Sequence, residues 1–97
     1  MPAMHFHLRW PDGRESRCYS PSLVVKDYFE PGAAYPLGDF LQRARESLAI
    51  ASERVRAKFG FACSMALDQL AQIEAEAARF ADAPLARVEV LSFDESP

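Results

Sequence analysis

The sequence predicts an α+β fold: a small antiparallel sheet, built from an N-terminal hairpin plus a C-terminal strand, with one short and two long antiparallel helices packed on one face. Three observations lead there. Residues Met4 to Trp10 alternate apolar and polar and run into Pro11-Asp12-Gly13. Residues 36 to 80 hold two stretches whose apolar positions recur at spacings of three and four, and Arg87 to Phe93 is rich in valine, leucine and phenylalanine. With 97 residues, 49% of them hydrophobic, there is material for one core and not two. A two-domain enzyme is excluded, and residues 1–97 are expected to form a single domain with 94–97 a frayed tail.

The first strand places Phe6, Leu8 and Trp10 on one face and His5, His7 and Arg9 on the other. Pro11 pre-sets the φ of a type I turn, and Gly13 accepts the positive φ of the bulge that closes such a hairpin. If Trp10 faces Arg14, counting back puts Cys18 opposite Phe6 and Arg17 opposite His7, so Cys18 faces the core. Ser20-Pro21-Ser22 reads as a helix start, with a short helix over Leu23 to Phe29 that ends at Glu30-Pro31-Gly32. Tyr35-Pro36 opens the long helix, which carries Phe40, Leu41, Ala44, Leu48, Ala51 and Val55 as one stripe until Gly60 closes it. Ser64 caps a second helix to about Phe80, striped by Ala66, Leu70, Ile73, Ala77 and Phe80. Small side chains on both stripes and the short connection favour an αα-hairpin. Asp82-Ala83-Pro84 breaks the helix, and the last strand, Arg87 to Phe93, alternates less cleanly than the first.

Eleven Lys plus Arg against 14 Asp plus Glu give a net charge of −3, which argues against a nucleic-acid binder, since phosphate neutralisation needs a basic excess. The charge is segregated. Residues 1–60 carry 9 basic against 7 acidic side chains and residues 61–97 carry 2 against 7, so the halves should attract. No apolar run approaches a membrane span, and the start lacks the regions of a secretory signal, so a cytoplasmic protein with no membrane partner is expected. Two cysteines without C-x-x-C spacing make neither a disulfide scaffold nor a cysteine zinc site.

Candidate chemistry lies at three places. His5 and His7 share a strand face and could contribute imidazoles to a metal, but Arg17 and Tyr19 share that face and a neighbouring cation disfavours one, so no metal and no cofactor is expected. Cys63 precedes a helix, where exposed amides stabilise thiolate; the blander reading is a small core side chain beside Phe59 or Phe61. The helix starts at Cys18, Ser20 and Ser22 and at Cys63 and Ser64 present N–H donors that could hold an anion if they converged, although capping alone accounts for the serines. Arg54, Arg56 and Lys58 offset the carbonyls at a helix end, with Asp68 the expected neighbour. Phosphate loops, nucleophile elbows and metalloprotease motifs are absent from the sequence.

Met4-His5-Phe6, Arg9-Trp10-Pro11-Asp12-Gly13, Cys18-Tyr19-Ser20-Pro21-Ser22, the stretch Ala51 to Arg56, the stretch Phe59 to Ser64 and Asp68-Gln69-Leu70 together resemble a family of small bacterial proteins called nitrogen starvation response proteins. The resemblance spans about residues 4 to 80. It implies genomic company, a cluster encoding a nitrilase, an acetyltransferase, a radical-SAM protein and a flavin-dependent oxidoreductase, and it assigns neither an activity nor site residues.

The leading reading is therefore a noncatalytic accessory or interaction protein in a nitrogen-starvation or nitrile-related pathway. It self-associates as a homodimer through the face bearing His5, His7, Arg9, Arg17 and Tyr19, and a product of the same gene cluster is a further candidate partner. The alternative is a small thiol-based enzyme or anionic-ligand carrier using Cys63 and the helix starts at Ser20 and Ser64.

Overall fold

The computed structural model describes residues 3–61, 64–83 and 85–95. Its elements are β1 (Met4–Arg9), β2 (Glu15–Ser20), a 3₁₀ turn (Leu23–Asp27), β3 (Ala34–Pro36), α1 (Leu37–Phe59), α2 (Ser64–Ala78) and β4 (Arg87–Glu95). The four strands form one antiparallel sheet in the order β2-β1-β4-β3.

The N-terminal hairpin has the expected register. Trp10 N–H donates to the Arg14 carbonyl at 2.8 Å, Gly13 N–H donates to the Trp10 carbonyl at 2.8 Å, and Gly13 takes φ 89°, which only glycine adopts without strain. Asp12 Oδ1 accepts from Arg14 N–H at 3.1 Å, and this bond holds the Asp12 carboxyl below its ordinary range. Phe6 pairs with Cys18 and His7 with Arg17. Met4, Phe6, Leu8, Trp10 and Cys18 are consequently buried on one face, while the alternate residues look away from the helices.

Strand β4 explains its own irregular pattern. Val88 and Val90 are fully buried, and Leu8 pairs with Val90, yet His7 pairs with Ser92 and Phe6 with Phe93. Leu91 is thus the extra residue of a β-bulge that returns Phe93 to the core side after the two-residue rhythm is broken. The strand also continues through Glu95, where a frayed end was expected from residue 94. Asp94 bonds Arg17 at 3.2 Å and Glu95 pairs with Lys26.

Two expectations need correction. The short helix over Leu23 to Phe29 is a five-residue 3₁₀ turn ending at Asp27, because a span this short, rich in branched Val24 and Val25, closes i to i+3 bonds more readily than α-helical ones. Only two α-helices are present among the described residues. In addition, Tyr35-Pro36, read as the opening of the long helix, belongs to edge strand β3 (Ala34–Pro36), which pairs with Arg87–Glu89, and the helix begins one residue after Pro36. Pro36, with no N–H to offer, is tolerated there because β3 lies at the edge. Leu37 N–H, which the helix itself cannot satisfy, donates to the Ala86 carbonyl at 3.0 Å.

Both long helices lie on the face from which Phe6, Leu8 and Trp10 project. In α1, Leu37, Phe40, Ala44, Ser47, Leu48, Ala51 and Ser52 are buried, and Leu41 and Val55 are half-buried. In α2 the buried set is Ala66, Ile73 and Ala77, with Leu70, and Phe80 in the turn that follows the helix, packed against the core. Arg45 and Glu74, 2.9 Å apart, tie the two helices. The expected pairing of Asp68 with the basic end of α1 does not occur among the described residues, since Arg56 takes Glu53 on its own helix and Arg54 takes Ser22. Gly60, at φ 85°, caps α1 through its N–H to the Arg56 carbonyl at 2.8 Å. Five ion pairs, Arg9–Glu89, Arg14–Glu76, Arg17–Asp94, Lys26–Glu95 and Arg45–Glu74, join a residue before position 60 to one after it. The opposed charges of the two halves are spent there, and because the side chains are solvated each pair contributes little to stability.

An aromatic cluster sits at the centre. Trp10 is 2% exposed, meets Phe40 edge-on at 5.7 Å, stacks on Phe80 at 6.2 Å, and donates its indole N–H to Ser16 Oγ at 2.8 Å. Phe29 joins Phe40 to Phe6 and Tyr35. Phe40→Ala should therefore cost about 3–5 kcal/mol in urea unfolding. Trp10 emission should be blue-shifted in the native state and red-shift in the same transition. A native Trp10 readily quenched by acrylamide would contradict this packing.

Candidate functional site

Of the residues singled out at the helix starts, Ser20 and Ser22 share one corner, and their polar atoms are already used. Ser20 Oγ donates to the Ser22 carbonyl at 2.7 Å and accepts from Ser22 N–H at 3.3 Å. Ser22 Oγ caps the 3₁₀ turn by accepting from Val24 N–H at 3.3 Å and also receives Arg54 Nη1 of α1 at 3.0 Å. Ser64 is exposed at the first position of α2 and makes no hydrogen bond to Ser20 or Ser22. Cys63 lies outside the described residues. Arg54, which sequence reasoning placed only as a cation near a helix end, is the unforeseen member of this corner; its contact depends on how α1 crosses the 3₁₀ turn.

The face of the sheet turned away from the helices brings His5, His7, Arg9, Arg17 and Tyr19 together. Arg17 Nη2 approaches His5 Nδ1 at 3.4 Å, so that nitrogen is the acceptor, and the same guanidinium reaches Asp94 at 3.2 Å. His5 and Tyr19 meet edge to face at 5.6 Å. Arg9 lies 3.4 Å from Glu89 and 3.9 Å from Glu15. Both arginines of the face are thereby matched by carboxylates of the flanking strands, which makes it a mixed surface and not a basic one. Among the described residues no group of three or more His, Cys, Asp or Glu is arranged to hold a metal ion.

A cleft of about 450 Å³ runs between β2 and α2, lined by Trp10, Ser16 and Cys18 on the sheet side and by Gln69, Gln72, Ile73 and Glu76 on the helix side. It follows from the sheet order: β2 is an edge strand, and α2 packs beneath it. The Trp10–Arg14 bond shows which residues of β2 turn their main chain toward β1. Pairs 8/16, 6/18 and 4/20 share ladder bonds, and Glu15, Arg17 and Tyr19 direct N–H and C=O outward. Gln69 Oε1 of α2 accepts from Tyr19 N–H at 2.9 Å. The alternation of the strand was legible in the sequence, but that β2 would be the open edge was not.

A third surface is the end of the helical hairpin. At 1.5 Å per residue α1 is about 34 Å long, and no residue of it after Ser52 is buried. Phe59, Phe61, Met65 and Leu67 are 54%, 68%, 59% and 51% exposed, Phe59 lies 6.5 Å from Phe61, and Lys58 sits over the Phe59 ring at 5.6 Å. Phe59 follows Val55 at helical spacing, so the apolar stripe of α1 runs on past the core that should cover it.

Cys18 is the described thiol of the corner, and it is 1% exposed. Burial pushes it from 9.0 up to about 12, the opposite of what a nucleophile requires. The unfolded chain releases this proton first. Below pH 9 the group is neutral in both states and stability does not depend on it; as pH rises from 9 toward 12 the unfolded state binds fewer protons and stability falls, by up to about 4 kcal/mol. Urea midpoints measured from pH 8 to 11 should decline more steeply for the natural chain than for Cys18→Ala. Parallel curves would mean that the thiol is solvated in the fold.

In comparisons with known proteins, no curated protein and no solved structure matched. One family model did, over residues 5–93, a span that runs from the second residue of β1 into β4 and takes in β2, β3 and both helices. The chain belongs to the family described as nitrogen starvation-induced protein NitG.

Proposed function

We propose that this protein is a noncatalytic interaction protein of the nitrogen-starvation response, cytoplasmic and self-associating, that presents the end of its helical hairpin to a protein partner. The observation that carries the reading is the group Phe59, Phe61, Met65 and Leu67, each more than half exposed beyond the point where the core ends. Large apolar side chains gathered at a projecting tip lower their free energy by being covered, roughly 1.5–3 kcal/mol for each one fully buried. Lys58 lies over the Phe59 ring. Aromatic and methionine side chains are the types enriched at the centres of binding interfaces.

The corner chemistry supports the same reading. The Ser20 and Ser22 hydroxyls hold the 3₁₀ turn and Arg54, and the Cys18 thiol is kept neutral in the core. Capping and packing account for these groups.

Crosslinking in nitrogen-starved cells, comparing the natural chain with Phe59→Ser/Phe61→Ser, tests the proposal. Because both rings are exposed, the double variant should unfold within about 0.5 kcal/mol per site of the natural protein, while losing the crosslinked partner. An identical set of crosslinked proteins for the two chains would overturn it.

A further inference from the structure

The sheet has two edges, and they are unequal. Strand β3 is three residues long and ends in Pro36, so it offers little for another strand to pair with. Strand β2 is six residues long, exposes Glu15 and Arg17 at its outer edge, and turns the main-chain N–H and C=O of both away from β1. Among the described residues neither amide meets an acceptor, whereas the next outward amide, that of Tyr19, is taken by Gln69. The edge is therefore available over one short, defined stretch, with the cleft between β2 and α2 lying beneath it.

That stretch is complementary to itself. If a second β2 runs antiparallel about a two-fold axis through Ser16, Glu15 exchanges main-chain bonds with the partner's Arg17, and Arg17 does so with the partner's Glu15. The side chains of these two residues lie on the same face of the sheet, the one turned from the helices, so each carboxylate comes to stand opposite a guanidinium of the other copy. Pairing does not extend to Tyr19, and the Tyr19–Gln69 bond survives. An axis through Arg17 would instead set two guanidinium groups side by side and would require the amide Gln69 already holds.

We propose that two copies of the chain associate through β2, with Glu15 opposite Arg17 in both directions, joining their four-stranded sheets into one continuous sheet. The inference rests on the self-association named above and supplies its geometry: the contact runs along the edge of the sheet, and the face bearing His5, His7 and Arg9 stays open. Ser16, whose side chain points to the cleft side and accepts from Trp10, is left at the axis.

The test is sedimentation of the purified protein together with site-directed crosslinking. The natural chain should sediment as a dimer. Arg17→Glu should weaken the dimer at least about tenfold, since two opposed pairs become two like-charge pairs, and Glu15→Arg/Arg17→Glu should restore it. In a Cys63→Ser background, Ser16→Cys should oxidise to a covalent dimer, because residues facing each other in a non-hydrogen-bonded pair have Cα atoms about 4.5 Å apart, within disulfide reach. Ser92→Cys, on β4 and remote from the axis, should not. Native Trp10 emission confirms the fold of each variant. A single-chain species at every concentration would overturn both this geometry and self-association itself. A dimer indifferent to Arg17→Glu and uncrosslinked at position 16 would overturn the geometry alone.

Discussion

The closing bond of the first hairpin, Trp10 N–H to the Arg14 carbonyl, sets the parity of nearly everything that follows. A side chain on a strand has two choices of face, and a slip of one residue would exchange them all. With Gly13 in the left-handed region the turn takes one length, so Phe6, Leu8 and Trp10 go to the helices and His5, His7 and Arg9 go the other way. The same bond decides which main-chain groups of β2 are spent on β1 and which are left at the edge. Core, open face and the set of β2 main-chain groups turned away from β1 are three consequences of one turn.

The aromatic cluster and the ion pairs then divide the work of holding the halves together. Trp10, Phe40 and Phe80 come from the residue after β1, from α1 and from the turn after α2, and their contacts contribute to the buried area that drives folding. The five pairs linking the basic front of the chain to its acidic rear lie at the surface. Their side chains are solvated, so each adds little to stability. Arg43 shows how one side chain serves both ends: it bonds Asp39 on its own helix at 3.0 Å, reaches the Tyr28 carbonyl at 2.7 Å and covers the Tyr35 ring at 4.8 Å.

For function, the arrangement sets two kinds of surface apart. The hairpin tip is apolar, with Lys58 over the Phe59 ring. The β2 edge is polar and built for directional main-chain bonds. A contact made by strand addition draws its specificity from register, and one made by exposed aromatics draws affinity from burial. The two surfaces can therefore be occupied at once without competing for the same chemistry.

Periodicity and turn chemistry alone determined the α+β class, the hairpin register, the long helix closed by Gly60 and the second helix with its alanine-rich stripe, because each is a local rule written in adjacent residues. They also showed that Cys18 faces inward. Tertiary structure decided what depends on partners distant in the chain. The broken alternation of the last strand was visible in the sequence, but that it is a bulge at Leu91 was not, since the bulge arises only when β4 must satisfy β1 on both sides of the irregularity. The Ala34–Pro36 strand exists because Arg87–Glu89 lies beside it. Arg54 joins the serine corner because α1 crosses the 3₁₀ turn there. That β2 is an edge while β1 is central follows from where the last strand docks, and no stretch of sequence shorter than the whole carries that information.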